Sequence, residues 1–307
     1  MAKPVRLLSA GALTLDTILR IETLPTHQGK FIATDGVQIA SGMATSAACA
    51  AHRLGAEVSL WASAGDDPIG DQLIAGVEAE GVDCTYVRRV PGARSALASI
   101  LVDAHGERII VPFYDSLAQT NPEALPFADI ATFDTVLVDV RWPGAATLAL
   151  KAARAAGRPA ILDADTAPLA VLEQLLPLAS HIVASEPAVR TICGQALDLE
   201  TACTDMASRT DAFVAVTGGA AGTWWFDRAV GSSRHVAAPK IKAVDTLAAG
   251  DVFHGAFAVG LAEAMPVELA LRFASAAAAL KCQRFGGRLG APDRAETLAM
   301  VAATWPA

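Results

Sequence analysis

Short runs of β-branched and other apolar residues alternate with helix-length patterns along most of this chain, and no other feature limits its possible folds as strongly. Val5 to Leu13, leading to Asp16, reads as a first strand. Val58 to Ala64, Thr135 to Val140, Ala160 to Leu162, His181 to Ala184 and Phe213 to Thr217 read as further strands. Residues 44–54, 71–80, 145–156 and 167–176 carry helical patterns, the first two closed by Gly55 and Gly81. Strands separated by helices need crossover connections, which predicts an α/β fold with a mostly parallel central sheet and helices on both faces. Lys30 to Ile39 and Ala96 to Phe113 break the rhythm and read as extended, the second turning at Asp103-Ala104-His105-Gly106. They predict a small β lid, formed by about 17–41 and 90–115, on a single domain covering 1–307.

Composition narrows the partners. A formal net charge of -8 argues against nucleic acid and anionic membranes, so any phosphorylated ligand must be held by local geometry. No apolar run reaches the roughly 18–20 residues of a membrane span, and Met1 to Leu8 lacks the pattern of a signal peptide. Cys49, Cys84, Cys193, Cys203 and Cys282 are dispersed, without a CxxC pair, as expected for reduced thiols in a cytoplasmic protein.

The stretch from Val244 to Phe257 carries the chemistry. It sets Asp251 where a turn of small residues runs into an apolar helix. Unpaired N–H groups and the positive end of the helix dipole favour an anion there. The N–H groups of Ala248, Ala249 and Gly250 are candidates to hold a transferring phosphate, with Asp251 beside them as general base. The same aspartate also fits a plain helix cap. His254, one turn further on, reads as a partly exposed helix residue. Thr217, Gly219 and Gly222 follow a strand, where a nucleotide could approach bare backbone or where a strand-to-strand turn could form.

These blocks together resemble the ribokinase-like (PfkB) carbohydrate kinases. Asp245-Thr246 with Ala249-Gly250-Asp251 and Gly255 is similar to that family's C-terminal signature. Ser41-Gly42-Met43-Ala44-Thr45-Ser46-Ala47, Arg53-Leu54-Gly55 and Gly65-Asp66-Asp67 with Gly70 are similar to its N-terminal one, and 216–222 to its nucleotide loop. Gly29-Lys30, Gly106 to Ile110, Val138 to Trp142, Ser185-Glu186-Pro187 and Ala279 to Cys282 before Gly286-Gly287-Arg288 resemble bacterial sulfofructose kinases within the family.

The resemblance implies an ATP-dependent, magnesium-assisted kinase acting on a hydroxyl of a ketose-like sugar, 6-deoxy-6-sulfofructose being one such substrate. Asp16, Gly42 and Ser46 would meet the sugar, and Thr217, Gly219, Gly222, Asp245, Thr246 and Gly250 the nucleotide. Lys30 and Arg141, with Arg108 as a third candidate, would converge on an anionic end of the sugar. Glu186 is the magnesium candidate, a monovalent-cation requirement is left open, and a homodimer joined through the lids is implied. Neutral-sugar kinases, nucleoside kinases and a non-catalytic sugar sensor are the alternatives. Four departures stand out. Ala248 replaces a glycine and is tolerable with a negative φ, and Ser46 replaces an asparagine. Ser185-Glu186-Pro187-Ala188 replaces the family's Asn-x-x-Glu, and Pro112 stands where sulfofructose kinases carry asparagine.

Overall fold

Leu7 and Leu8 are adjacent and both fully buried, because β1 (Arg6–Gly11) lies inside a sheet covered on both faces. The computed structural model describes residues 3–306. After β1 come β2 (Thr14–Arg20), β3 (Asp35–Ser41), α1 (Met43–Arg53), β4 (Glu57–Gly65), α2 (Pro68–Glu78) and β5 (Arg88–Val90). A hairpin of β6 (Ala96–Val102) and β7 (Arg108–Phe113) precedes β8 (Thr135–Val138), α3 (Pro143–Ala155), β9 (Ala160–Ala164), α4 (Leu169–Leu175) and β10 (His181–Ser185). The chain continues through α5 (Glu186–Cys193), α6 (Leu199–Ser208), β11 (Phe213–Thr217), β12 (Thr223–Asp227) and β13 (Ser232–Val236). It ends with α7 (Ala249–Ala262), α8 (Val267–Cys282) and α9 (Arg294–Thr304).

The central sheet runs β13-β12-β11-β10-β9-β8-β1-β4-β5. It is parallel from β5 through β11, and β12 and β13 close one edge as antiparallel strands. Alternate strand residues feed two cores. Leu7, Leu60, Leu137, Ile161 and Val183 pack under α1, α7 and α8, while Leu8, Trp61, Val136, Leu162 and Ile182 pack under α3 and α6. Two-sided burial is why these strands read as continuous apolar runs. Each such side chain contributes roughly 1.5–3 kcal/mol.

The second sheet, β3-β2-β6-β7, is the lid. Its lower face buries Ile18, Ile39, Ala98, Ile100 and Val102 together with Leu247 of the 244–257 stretch. The expected first strand, Val5 to Leu13 leading to Asp16, is in fact two. The chain leaves the central sheet at Gly11, and Asp16 lies within β2 of the lid. Gly11 is where the break must fall. Its φ is 151°, and a Cβ there would sit 2.2 Å from the carboxylate carbon of Asp139. The parallel order reverses direction between β8 and β1, where a crevice opens outside the carboxyl ends of the strands.

Candidate functional site

Asp251 sits in the first turn of α7, above that crevice. Its carboxylate has no hydrogen bond or ion pair among the described residues. Burial, and then the charges of Asp163 and Asp165, push its carboxyl well above the usual carboxylate range. Of the N–H groups expected to hold a phosphate, those of Ala248 and Gly250 are free among the described residues and that of Ala249 is engaged. The Ala249 N–H leans on the Thr246 carbonyl at 3.3 Å, and the Leu247 N–H is taken by Asp245 Oδ1. Those of Ala248, Gly250 and Asp251 face no partner among the described residues. Open space surrounds the Gly250 Cα. The helix start, the free N–H groups and the unpartnered carboxylate thus meet at one point.

Ala248 corrects an expectation. Its φ is 61° and ψ 11°, left-handed, where a negative value was required for ease. Only that turn lets the chain swing into α7 with Val252 N–H already on the Ala248 carbonyl at 3.0 Å. An alanine in this region carries roughly 1–2 kcal/mol of strain, and such strain collects at functional sites. Ala248→Gly is therefore expected to stabilise the fold by about 1 kcal/mol, after the extra chain entropy of glycine. Urea denaturation measures this, and a lower midpoint would contradict it.

His254 is a second correction, because it is buried, not partly exposed. Its Nδ1 lies 2.7 Å from the Gly250 carbonyl and its Nε2 3.4 Å from Asp163 Oδ1. Nε2 also lies 3.2 Å from the Val183 carbonyl, so each ring nitrogen faces a carbonyl acceptor. Burial and the neighbouring Asp165 charge push the Asp163 carboxyl well above the usual carboxylate range. This pair ties the first turn of α7 to β9. The apolar neighbours of His254 in sequence gave no hint of a polar contact from another strand.

Asp16 is buried on β2, accepting from Thr14 Oγ1 at 2.7 Å. Desolvation raises its carboxyl, opposed by bonds from Thr14 and Ser41 and by the charge of Arg288. Ser46 Oγ reaches Ser41 Oγ at 3.3 Å and so joins this network. Gly42 has φ 105°, and a Cβ on it would meet the Ala12 carbonyl oxygen at 2.6 Å. Its close approach is therefore to the β1–β2 corner, with α1 starting immediately after. Asp139, given no role from sequence, organises this corner. Its carboxylate accepts N–H groups from Ala12, Ala44 and Arg141 at 2.8–2.9 Å.

A small cavity of about 20 Å³ at the corner is lined by Gly11, Leu13, Tyr114, Gln119 and Arg141. Tyr114, pushed up to about 12 by burial, feels Arg141, Asp139, Asp16 and Asp251 together. Arg141 is part of the lining of this cavity, whereas Asp16 and Asp251 are not. Arg141 keeps one guanidinium bond, Nη1 to the Thr166 carbonyl at 2.9 Å. Lys30 is on an exposed loop of the lid and makes no contact with Arg141 in this conformation. Pro112 pairs with Ala98, which pairs with Asp16, so the three lie in one row across the lid.

On the nucleotide side, Thr217 ends β11 and a 3-10 turn over Gly219–Ala221 leads into β12. The segment is a strand-to-strand turn, with its backbone exposed over 219–221. Gly219 has φ 57° with open space around it, and Gly222 has φ 96° with β13 backbone 2.4 Å from a built Cβ. Two expected nucleotide residues are otherwise engaged. Asp245 is fully buried, its carboxylate bonded by the N–H groups of Leu247, Gly286 and Gly287. Thr246 Oγ1 donates to the Gly106 carbonyl and accepts from Arg108 Nη1, clipping the lid hairpin to the turn. Glu186, the magnesium candidate, is paired with Arg190 one turn along α5. Asp165, at the end of β9, accepts from Ser185 Oγ at 2.7 Å and leaves its other oxygen free of side-chain partners.

The pfkB family carbohydrate kinase profile matches residues 6–294. The ribokinase of Haemophilus influenzae is 30% identical over 94% of this chain and 95% of its own length. A crystal structure from Agrobacterium tumefaciens, of a protein provisionally called a ribokinase, has a TM-score of 0.95 and 45% identity over 98% of each chain. The Arabidopsis thaliana ribokinase complexed with ribose and ATP shares the fold, with a TM-score of 0.81 and 24% identity over 98% of this chain and 99% of that one.

Proposed function

This chain belongs to the pfkB family of carbohydrate kinases, and on that premise we propose that it moves the γ-phosphoryl group of ATP onto a hydroxyl of a ketose-like sugar with an anionic end. The observation that carries the reading is the unpartnered Asp251 carboxylate beside the free N–H groups in the first turn of α7. The sugar hydroxyl gives its proton to Asp251 while its oxygen attacks the γ-phosphorus, and the bond to the ADP oxygen breaks. Little covalent help is needed, so holding the groups in line and stabilising charge dominate. The N–H groups of Ala248, Gly250 and Asp251 take the developing charge. Asp16 grips sugar hydroxyls through charge-assisted bonds.

Magnesium fits this site as a shared ion. Among the described residues no group of three metal-ligating side chains exists, and magnesium is commonly held by substrate phosphates, waters and one or two carboxylates. Asp165 and Glu186 are the carboxylates that would hold it. Bound there, it would neutralise the phosphate charge.

Arg141, on the lining of the corner cavity, supports the anionic end, with Lys30 brought in by the lid. A sulfonate such as that of 6-deoxy-6-sulfofructose, a carboxylate or a phosphate would satisfy it equally. The test is ADP release under ATP and magnesium across neutral ketoses and aldoses, anionic ketoses and nucleosides. Anionic ketoses are expected to give the highest kcat/KM. Turnover of fructose or ribose with none of the anionic ketoses removes the anionic reading, and turnover of a nucleoside alone replaces the sugar. Two further parts of the proposal are a cytoplasmic location, for which the absence of disulfides among the described cysteines speaks, and a homodimer. Leu19, Leu97, Ile109 and Val111 are exposed on the outer lid face and suit such an interface. Sedimentation as a monomer would exclude it.

A further inference from the structure

The turn that presents the phosphate-binding N–H groups rests on a buried cation of the chain's own. Lys281, near the end of α8, has no solvent exposure. Its Nζ donates to the main-chain carbonyl of Asp245 at 2.6 Å and lies 3.2 Å from Asp245 Oδ2. The same carboxylate holds Leu247 on one side and Gly286 and Gly287 on the other. The N–H groups of Val244 and Asp245 both bond the Cys282 carbonyl, one residue beyond the lysine. One ammonium therefore joins the end of α8, the 286–287 turn and the entry to α7.

A buried lysine is costly, since burial disfavours its charged form and the charge of Arg108 adds to that, opposed by Asp245. An apolar residue on α8 would fill the same volume without that cost. What the ammonium adds is a fixed positive charge on a carbonyl oxygen and a carboxylate oxygen that converge in the interior. Two such oxygens are the donor types that an alkali-metal ion takes, and one position cannot hold both an ammonium and a second cation. The residues at this turn do not fit a bound monovalent ion, because their oxygens are already occupied.

We propose that Lys281 is a tethered monovalent cation: its ammonium takes the oxygens of Asp245 that a potassium ion would need, keeps the 245–248 turn in its phosphate-binding shape, and makes the enzyme independent of added alkali-metal ions. Lys281 touches neither sugar nor nucleotide and is a positioning residue. The consequence for turnover rests on the kinase reading, whereas the occupancy of the site does not.

The experiment titrates potassium chloride against choline chloride at constant ionic strength, for the wild type, Lys281→Ala and Lys281→Met. It reads melting temperature and ADP release separately. The wild type is expected to show no potassium-specific rise in melting temperature and less than about a twofold change in kcat. Lys281→Ala, which opens the space, is expected to lose about tenfold in kcat, less than the roughly 10²–10³-fold of removing an oxyanion-hole donor outright. It should regain part of that, together with melting temperature, with potassium and not with choline. Lys281→Met, which fills the space with an uncharged chain, should lose activity without a potassium response. A wild type activated about tenfold by potassium overturns the proposal. So does a wild-type melting temperature that rises with potassium alone. So does a folded Lys281→Ala that is indifferent to potassium in both readouts. If Lys281→Ala does not fold, the wild-type arms decide. If no sugar is phosphorylated by the wild type, the kinase reading fails and the melting arms still decide the cation.

Discussion

Asp251→Asn is expected to lower kcat by about 10²–10⁴-fold, the range that a positioned general base contributes, while leaving sugar and nucleotide binding largely intact. The same change should stabilise the protein at neutral pH. Asp251 is held near Asp163 and Asp165 with no cation bonded to it, and its carboxyl is pushed well above the usual range by burial and by those charges. The sign follows from linkage. A carboxyl whose folded pKa is raised contributes stability below its unfolded pKa and loses it as pH rises through the folded pKa. At neutral pH the charge is therefore a liability, and asparagine removes it. The expected gain is about 0.5–2 kcal/mol, typical where activity is bought with stability. The pH profile of the wild type should match, with kcat/KM rising as Asp251 loses its proton. Denaturation midpoints of the two proteins at pH 7 and pH 4 check the first point, since the gain should shrink in acid. An Asp251→Asn protein that keeps wild-type kcat would remove Asp251 from the mechanism.

Asp245→Ala is expected to cost about 3–5 kcal/mol, the scale for removing one partner of a buried ion pair. The substitution strands the Lys281 ammonium in the interior and frees the N–H groups of Leu247, Gly286 and Gly287. Activity should fall as well, since the turn leading into α7 loses its anchor. The double variant Asp245→Asn with Lys281→Met separates charge from shape. Removing both charges should recover much of the stability, because a buried pair is roughly balanced against its own desolvation, while activity stays low. Urea denaturation of the single and double variants measures both. Equal destabilisation in the two would mean that the hydrogen-bond network, and not the unpaired charge, carries the effect.

Much of the fold was legible in the chain. The runs from Thr135, Ala160, His181 and Phe213 all became strands because a parallel sheet buried on both faces demands uninterrupted apolar stretches. The lid hairpin turned at Asp103–Gly106 as its turn residues required, the Gly106 N–H reaching the Asp103 carbonyl at 3.1 Å. The first strand was misjudged because apolar residues continue past Gly11. Nothing local says that the chain changes sheets there. The cause is the Asp139 carboxylate, which comes from a segment more than a hundred residues away and leaves no room for a Cβ.

By itself the sequence determined the layered α/β architecture, the helix start at the 244–257 stretch and the position of Asp251 in its first turn. These depend on local periodicity, small residues and helix-terminus chemistry, which neighbouring residues are enough to specify. Only the tertiary structure decided the left-handed φ of Ala248, the burial of His254 against Asp163, and the inward use of Asp245 and Thr246. It also decided that a lysine on α8 stands beneath the turn leading into α7. Such features depend on charged and polar groups brought together from distant strands and helices. Burial then makes each unpaired charge costly enough to select its partner, and that selection is not written in any one stretch of the chain.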